Sequence, residues 1–92
     1  MTPTLRYVAT TLFKKEYKRA RKQGKDMTIL HGVIRMILNR QPLPARYRDH
    51  KLVGNYSGWR ECHLVPDWLL IYRTTDTEAI FGRTGSHSEL FK

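Results

Sequence analysis

In the first half of the chain, apolar residues recur at intervals of three and four positions, which predicts two amphipathic helices. The first is expected over residues 10–23, with Gly24 as a suitable C-terminal stop. The second follows the capping residue Asp26 and ends within residues 39–44, whose two prolines cannot continue a helix. Their apolar faces are formed by Phe13, Tyr17 and Ala20 in the first helix and by Met27, Leu30, Val33, Ile34, Ile37 and Leu38 in the second. The short link between them predicts an antiparallel helical hairpin.

From about residue 53 onward, apolar and polar positions alternate, which predicts β-strands. The strands predicted in this region are residues 59–65, 68–73 and 78–84. A short first strand is also predicted at residues 5–8, before the helices. The short turns between the last three require antiparallel neighbours. The S-x-x-E pattern of residues 86–89 is a capping box that predicts a terminal helical turn. We therefore expect one α+β domain, residues 1–92, with the helical hairpin packed on an antiparallel sheet of about four strands.

The charge of the chain is strongly asymmetric. Residues 1–51 hold 13 Lys/Arg and 3 Asp/Glu, giving +10, and residues 52–92 hold 4 and 5, giving −1, for a net charge of +9. The basic half predicts a polyanion or an acidic protein as partner.

The single cysteine, Cys62, cannot form an internal disulfide, and no apolar run approaches the roughly 20 residues of a membrane span. A cytoplasmic protein without a membrane partner is expected.

Residues that can transfer protons or hold a phosphate are concentrated in the second half of the chain. They lie at predicted strand ends and in connections, where functional groups are commonly held: His50, His63, Asp67, Arg83 and His87. RNA is cleaved when its own 2′-hydroxyl attacks the adjacent phosphate, a reaction that needs a base, an acid and a cation. Histidine suits both proton roles because its unperturbed pKa is about 6.5, and an arginine fork suits the phosphate.

Each of these residues has a structural alternative. Asp67 is also a common turn residue, and Arg83 could form a salt bridge with Glu61 or with the chain terminus. Phe91 could belong to the core or stack on a base, and His31, inside the second helix, is interpreted as a surface residue. A metal site of histidines and Asp67 is disfavoured, because no H-E-x-x-H or C-x-x-C pattern is present and the surroundings are cationic. We expect no metal and no other cofactor.

Two longer motifs carry a family resemblance. Residues 63–72 read H-x-x-P-D-W-x-L-I-Y and residues 83–91 read R-T-G-S-H-S-x-L-F. Together with residues 43–50 they resemble the YafQ branch of the RelE/ParE toxin superfamily, and the similarity in pattern covers nearly the whole chain. The resemblance implies a compact α+β fold like that of a minimal microbial ribonuclease. It also implies a bacterial type II toxin–antitoxin toxin that cuts messenger RNA within a translating ribosome.

The partners and site residues follow from the same resemblance. It implies a small cognate antitoxin protein, with operator DNA bound only through the antitoxin complex. The functional set of the family matches His50, His63, Asp67, Arg83, His87 and Phe91. Here His87 is expected to be the general acid and Asp67 or His63 the general base. The remaining expected roles are phosphate stabilisation for Arg83, positioning or a shared base role for His50, and substrate stacking for Phe91.

The basic residues of the first helix are expected to bind ribosomal RNA phosphates without choosing the cut site. This basic cluster consists of Lys14, Lys15, Lys18, Arg19, Arg21, Lys22 and Lys25. Trp68 also matches the family motif and is expected to support the site rather than react. Two other functions stay open at this point. One is a non-catalytic, ParE-like toxin that binds DNA gyrase, and the other is a plain nucleic-acid-binding module.

Overall fold

The protein is described by a computed structural model that covers residues 3–91. Its helices are α1 (Thr11–Lys22), α2 (Met27–Leu38) and the short α3 (His87–Leu90). Its strands are β1 (Arg6–Ala9), β2 (His50–Lys51), β3 (Arg60–Val65), β4 (Trp68–Thr74) and β5 (Glu78–Gly85). Single turns of 3-10 helix, Ala45–Tyr47 and Gly54–Tyr56, stand on either side of β2.

The helix boundaries agree with the predicted ones to within one or two residues, and the caps explain why. The side chain of Thr10 accepts a hydrogen bond from the backbone of Phe13 and so begins α1. Asp26 accepts one from the backbone of Thr28 and begins α2. Gly24 has φ +79°, a left-handed conformation that favours glycine and turns the chain between the two helices.

The α+β class is confirmed, but the predicted antiparallel four-stranded sheet is corrected in two respects. The sheet has five strands in the order β1-β5-β4-β3-β2, and β1 runs parallel to β5. Because β1 and β5 are the first and last strands, no short turn between them fixes their direction. The sequence analysis missed β2 because its two residues, His50 and Lys51, are polar and too few to show a period.

The main core lies between α1, α2 and one face of the sheet. Its fully buried side chains include Phe13, Leu30, Val33, Cys62, Trp68, Leu70 and Phe81. The opposite face carries a much smaller apolar cluster of Leu69, Ile71 and Leu90, flanked by half-buried Tyr56 and Trp59. This second face is therefore the one on which the strands can present polar side chains. Within residues 3–91, no helix is long and apolar enough to cross a membrane.

The indole ring of Trp59 covers a bulge in β5. Arg83 pairs with Ile71 and Phe81 pairs with Tyr72, so Gly82 is the extra residue between them. A β-carbon at Gly82 would lie 2.6 Å from the Trp59 ring, closer than any normal contact. Glycine at this position therefore allows the ring to pack directly on the backbone.

The substitution Gly82→Ala is expected to displace the Trp59 ring and to lower the free energy of unfolding by on the order of 1 kcal/mol. The matched control is Gly32→Ala inside α2, where an added β-carbon meets nothing within 4 Å. That change should raise stability by about 0.5–1 kcal/mol, because alanine is the better helix former. Urea unfolding, monitored by tryptophan fluorescence, measures the free energy of unfolding of both variants. Equal stability of both variants would contradict the packing described.

Candidate active site

The pairing of the strands aligns several predicted site residues on one face of the sheet. His50 of β2 pairs with Glu61 of β3, Glu61 pairs with Ile71 of β4, and Ile71 pairs with Arg83 of β5. Directly paired residues point to the same side of a sheet. His63 lies two residues beyond Glu61 and shares that side. This is the face opposite α1 and α2.

Aromatic rings form a continuous row along this face. The ring centroids of His50 and His63 are 6.1 Å apart, and those of His63 and His87 are 5.7 Å apart. The ring of Phe91 follows at 6.2 Å from His87, and Tyr56 meets Phe91 edge-on at 5.6 Å. The three predicted site histidines and Phe91 thus come together, although 41 positions in sequence separate His50 from Phe91. We call these four residues the histidine row.

Asp67 lies in the turn between β3 and β4 and contacts His87. Its Oδ1 atom accepts a hydrogen bond from the backbone N–H of His87 at 3.2 Å and lies 3.3 Å from Nδ1 of the same residue. These two hydrogen bonds lower the pKa of Asp67 below its usual value, and the bond from the His87 backbone has the larger effect. The ionised carboxylate therefore favours a proton on Nδ1 of His87, and Nε2 is left for the substrate.

A buried carboxylate that the sequence analysis did not select lies beneath the other two histidines. Glu61 is only 4% exposed. Its Oε1 atom is 3.3 Å from Nε2 of His63 and 3.6 Å from Nε2 of His50. The other ring nitrogen of His50, Nδ1, donates to the backbone carbonyl of Arg48 at 2.7 Å. Glu61 therefore attracts a proton to Nε2 of His63, so that Nδ1 of a neutral His63 is free to accept one.

Among the described residues, Arg83 pairs with Glu16 and not with Glu61, the alternative partner considered from the sequence; the chain terminus, the other alternative, lies outside the described residues. Its Nε and Nη2 atoms donate to the two oxygens of Glu16 in α1, at 3.2 and 2.6 Å. Glu16 is 3% exposed and also accepts the backbone N–H of Thr84 at 3.2 Å. The hydrogen bonds from Arg83 to Glu16 raise the pKa of Arg83 further above its already high value. The guanidinium is permanently charged and fixed at one edge of the site.

Tyr56 connects Arg83 with the histidine row. Its hydroxyl accepts a hydrogen bond from Nη1 of Arg83 at 3.1 Å, and its ring packs against Phe91. Phe91 is 42% exposed, so its ring is available to a substrate base. Trp68, in contrast, is buried and donates its indole N–H to the Thr84 hydroxyl at 2.9 Å. The sequence analysis did not select Tyr56.

The structure places a possible metal-ligand cluster inside the site. His50, Glu61 and His63 each offer a ligand atom, and these atoms lie within 4.8 Å of one another. This differs from the set considered from the sequence, which included Asp67 and His87 but not Glu61. Two imidazoles and a carboxylate suit Zn²⁺ or Cu²⁺. Cys62 offers no alternative nucleophile, because it is buried and burial raises its pKa strongly.

The basic cluster of α1 is mostly exposed, with two exceptions. Arg19 lies 3.4 Å from Glu89 and 3.7 Å from Glu16, next to the ion pair of Arg83. The ammonium of Lys25 lies 5.6 Å from the centre of the Trp68 ring. Both residues therefore have structural contacts, and the freely exposed members of the cluster are Lys14, Lys15, Lys18, Arg21 and Lys22.

Comparisons with known proteins agree with this architecture. The family model described as a bacterial toxin of type II toxin–antitoxin system, YafQ, matches residues 5–92. The chain is similar to the mRNA interferase toxin YafQ of Escherichia coli strain K12, with 45% identity over 80 residues, which are 86% of this chain and 87% of that protein. These matches define the class of protein as a toxin of a bacterial type II toxin–antitoxin system. The chain belongs to the YafQ toxin family, and the predicted family is confirmed.

Solved structures extend the agreement to the fold. The toxin in the E. coli DinJ-YafQ toxin–antitoxin complex has a TM-score of 0.90 and 40% identity, and the match covers 97% of this chain and 99% of that one. A metal-bound toxin from Helicobacter pylori has a TM-score of 0.88 and 39% identity, with 95% and 99% covered. The five-stranded α+β architecture is therefore that of experimentally solved toxins.

Removal of the Glu16 carboxylate is expected to cost much more stability than loss of a surface ion pair. Glu16→Ala leaves Arg83 and the Thr84 N–H without their acceptor, and breaking a buried ion pair in this way costs about 3 kcal/mol. The control is Glu78→Ala, which removes the partner of Arg6, a residue whose side chain is 75% exposed. That loss should stay within about 1 kcal/mol. Urea unfolding measures both, and equal losses would show that the Glu16 pair is not structurally important.

Proposed function

We propose that this protein is the toxin of a type II toxin–antitoxin pair and acts as a ribosome-dependent messenger RNA endoribonuclease in the bacterial cytoplasm. The observation that carries the proposal is the 5.7 Å approach of the His63 and His87 rings, each of which has its own carboxylate. Two imidazoles at this separation can serve the two oxygens of one phosphodiester, one as base and one as acid. The name of the E. coli relative, mRNA interferase toxin, supports the same activity.

In the proposed reaction, a base takes the proton of the 2′-hydroxyl and the 2′-oxygen attacks the adjacent phosphorus. The bond from phosphorus to the 5′-oxygen then breaks, and the departing oxygen receives the Nε2 proton of the imidazolium form of His87, whose Nδ1–H stays with Asp67. The products are a 2′,3′-cyclic phosphate and a 5′-hydroxyl. Arg83 stabilises the charge that accumulates on the phosphate. Phe91 stacks on a substrate base, and His50 positions the row or shares the base role.

His63 is the better candidate for the general base. The hydrogen bonds from His87 lower the pKa of Asp67, and a carboxylate with a lowered pKa is a weaker proton acceptor. Asp67 thus acts mainly by orienting His87. His63 is held by Glu61, which attracts a proton to Nε2 and favours an unprotonated Nδ1. The open choice between Asp67 and His63 is therefore resolved in favour of His63 within this proposal.

The reaction is proposed to need no metal ion, because acid, base and cation are all side chains. A transition metal bound at Nε2 of His63, the atom that faces Glu61, would leave the proton of the neutral imidazole on Nδ1, the proposed base, and would therefore inhibit. The metal-bound H. pylori toxin supports the capacity of this fold for metal binding.

We further propose that an acidic antitoxin blocks the toxin in resting cells and that the basic cluster of α1 binds ribosomal RNA. The DinJ-YafQ complex supports the first part, and the net charge of +9 favours rapid capture of both anionic partners. The operator DNA would be bound only through the antitoxin complex.

The acid role of His87 is tested by His87→Ala, with His31→Ala as the matched control. Loss of one proton-transfer group should lower the cleavage rate of a translated message roughly 100- to 10,000-fold. His31 lies in α2 and contacts the Tyr17 hydroxyl, outside the histidine row, so its loss should leave the rate unchanged. Primer extension on the message measures both. Unaltered toxicity and cleavage in His87→Ala would favour a non-catalytic toxin.

Charge removal from α1 should weaken ribosome binding and reduce its salt dependence. The variant combines Lys14→Ala, Lys18→Ala and Lys22→Ala, and all three residues are exposed. The log–log slope of affinity against salt should fall by about 0.7–0.9 for each lost phosphate contact. A triple Lys→Arg variant keeps the charge and should keep the slope. If the alanine variant binds as the parent does, the cluster is only a solvated surface.

Zinc titration tests the proposed inhibitory metal site. Zn²⁺ should bind the isolated toxin, and Glu61→Gln, which keeps the shape but removes the charge, should weaken binding by about tenfold or more. Isothermal calorimetry measures the affinities. Cleavage by the parent should fall as the site fills and recover after chelation of zinc, with ample magnesium present for the ribosome. Cleavage that increases with zinc would contradict the metal-free reaction.

A further inference from the structure

A cleft adjoins the histidine row and contains two cations that the proposed mechanism does not use. Its volume is about 650 Å³, which is within the usual range for ligand sites. Arg46 and Arg48 line it together with His63, His87 and the short apolar segment 64–66. The cleft therefore opens directly onto the proposed acid and base.

Arg46 and Arg48 differ from the arginines that serve the fold. Within residues 3–91, Arg60 and Arg83 each form an ion pair with a carboxylate, at 3.1 and 2.6 Å. In the same part of the chain, Arg46 and Arg48 are exposed and have no such partner. The residues that line the cleft include no carboxylate. The two guanidiniums thus add positive charge to the cleft, while the nearby carboxylates Asp67 and Glu61 contact His87 and His63, so the part of the cleft beside the arginines favours an anionic ligand.

Local contacts hold the guanidinium of Arg46 in place. The guanidinium of Arg46 stacks on the neighbouring Tyr47 ring at 4.7 Å, and its Nη2 atom donates to the Tyr47 hydroxyl at 3.0 Å. Tyr47 itself is buried, so this support is rigid. A guanidinium stacked in this way loses little freedom when it binds an anion.

Arg48 adopts a backbone conformation that is uncommon for its residue type. It has φ +48°, in the left-handed region, and it ends the 3-10 turn of residues 45–47. Its carbonyl accepts the hydrogen bond from Nδ1 of His50 at 2.7 Å. A non-glycine residue in this region costs about 1 kcal/mol, and such strain is concentrated at functional sites. One strained residue thus adds a cation to the cleft and fixes a histidine of the row.

We propose that Arg46 and Arg48 form a subsite for the RNA backbone that binds the phosphate of a nucleotide next to the cleaved bond. The inference rests on the proposed nuclease function and adds a substrate-binding element to it. An arginine fork matches a phosphate oxygen pair, and a contact to phosphate positions the strand without reading its sequence. The subsite therefore governs affinity and the placement of the message, and the histidine row performs the reaction.

The test compares cleavage of a translated message by the parent and by the double variant Arg46→Gln/Arg48→Gln. KM should rise roughly tenfold or more, while kcat at saturating ribosome concentration stays within about threefold, because the charged contacts are lost and the reacting groups are not. The salt slope should fall by about 0.7 for each phosphate contact. A double Arg→Lys variant should restore the slope.

The matched control is Arg35→Gln/Arg73→Gln, which removes the same two charges from exposed positions that do not line the cleft. It should keep the KM and the salt slope of the parent. If the parent does not cleave, the proposed function itself fails. If the parent cleaves and Arg46→Gln/Arg48→Gln matches its KM and slope, the subsite is wrong. Normal cleavage combined with weakened antitoxin binding would assign the arginines to that protein and would also overturn the proposal.

Discussion

The buried carboxylate of Glu16 joins the helical layer of this protein to the strand that carries Arg83. Beyond Phe81, β5 no longer pairs with β1, and the oxygens of Glu16 accept both the Thr84 backbone N–H and two N–H groups of Arg83. The same carboxylate thus completes the open strand edge and holds the guanidinium beside the site. Tyr56 extends the connection to Phe91. The stability of the fold and the placement of the cation that we propose to bind phosphate depend on one interaction.

In the proposed mechanism, the carboxylates of Asp67 and Glu61 give the histidines different chemical roles. Asp67 is exposed and holds His87 through its backbone and its ring, whereas Glu61 is buried and lies between His50 and His63. A division of this kind lets one imidazole donate a proton while its neighbour accepts one. The same geometry brings together three side chains that can ligate a metal ion, which is the basis of the inhibition by transition metals that we propose.

The sequence predicts the elements that have a clear period and misses the contacts that only the fold creates. Both long helices and strands β3, β4 and β5 were predicted because their apolar residues repeat, and β1 was predicted as residues 5–8, whereas β2 is too short to repeat and the parallel pairing of β1 with β5 is fixed by no turn. The family motifs identified the six predicted site residues. Glu16 lies 67 positions from Arg83 in sequence, so no local pattern connects them. Glu16 is the only acidic residue in α1, and it lies at helical spacing from Phe13 and Ala20. This position was a usable signal that the Glu16 side chain is buried.

The chemistry at the ends of the cleaved message tests the central claim most directly, namely that the histidine row activates the 2′-hydroxyl of RNA. The parent protein is incubated with a translated message, and both new ends are analysed enzymatically and by mass spectrometry. The account predicts a 2′,3′-cyclic phosphate or its 3′-phosphate hydrolysis product on one fragment and a 5′-hydroxyl on the other. A 5′-phosphate would contradict the account, because water and not the 2′-hydroxyl would then be the nucleophile.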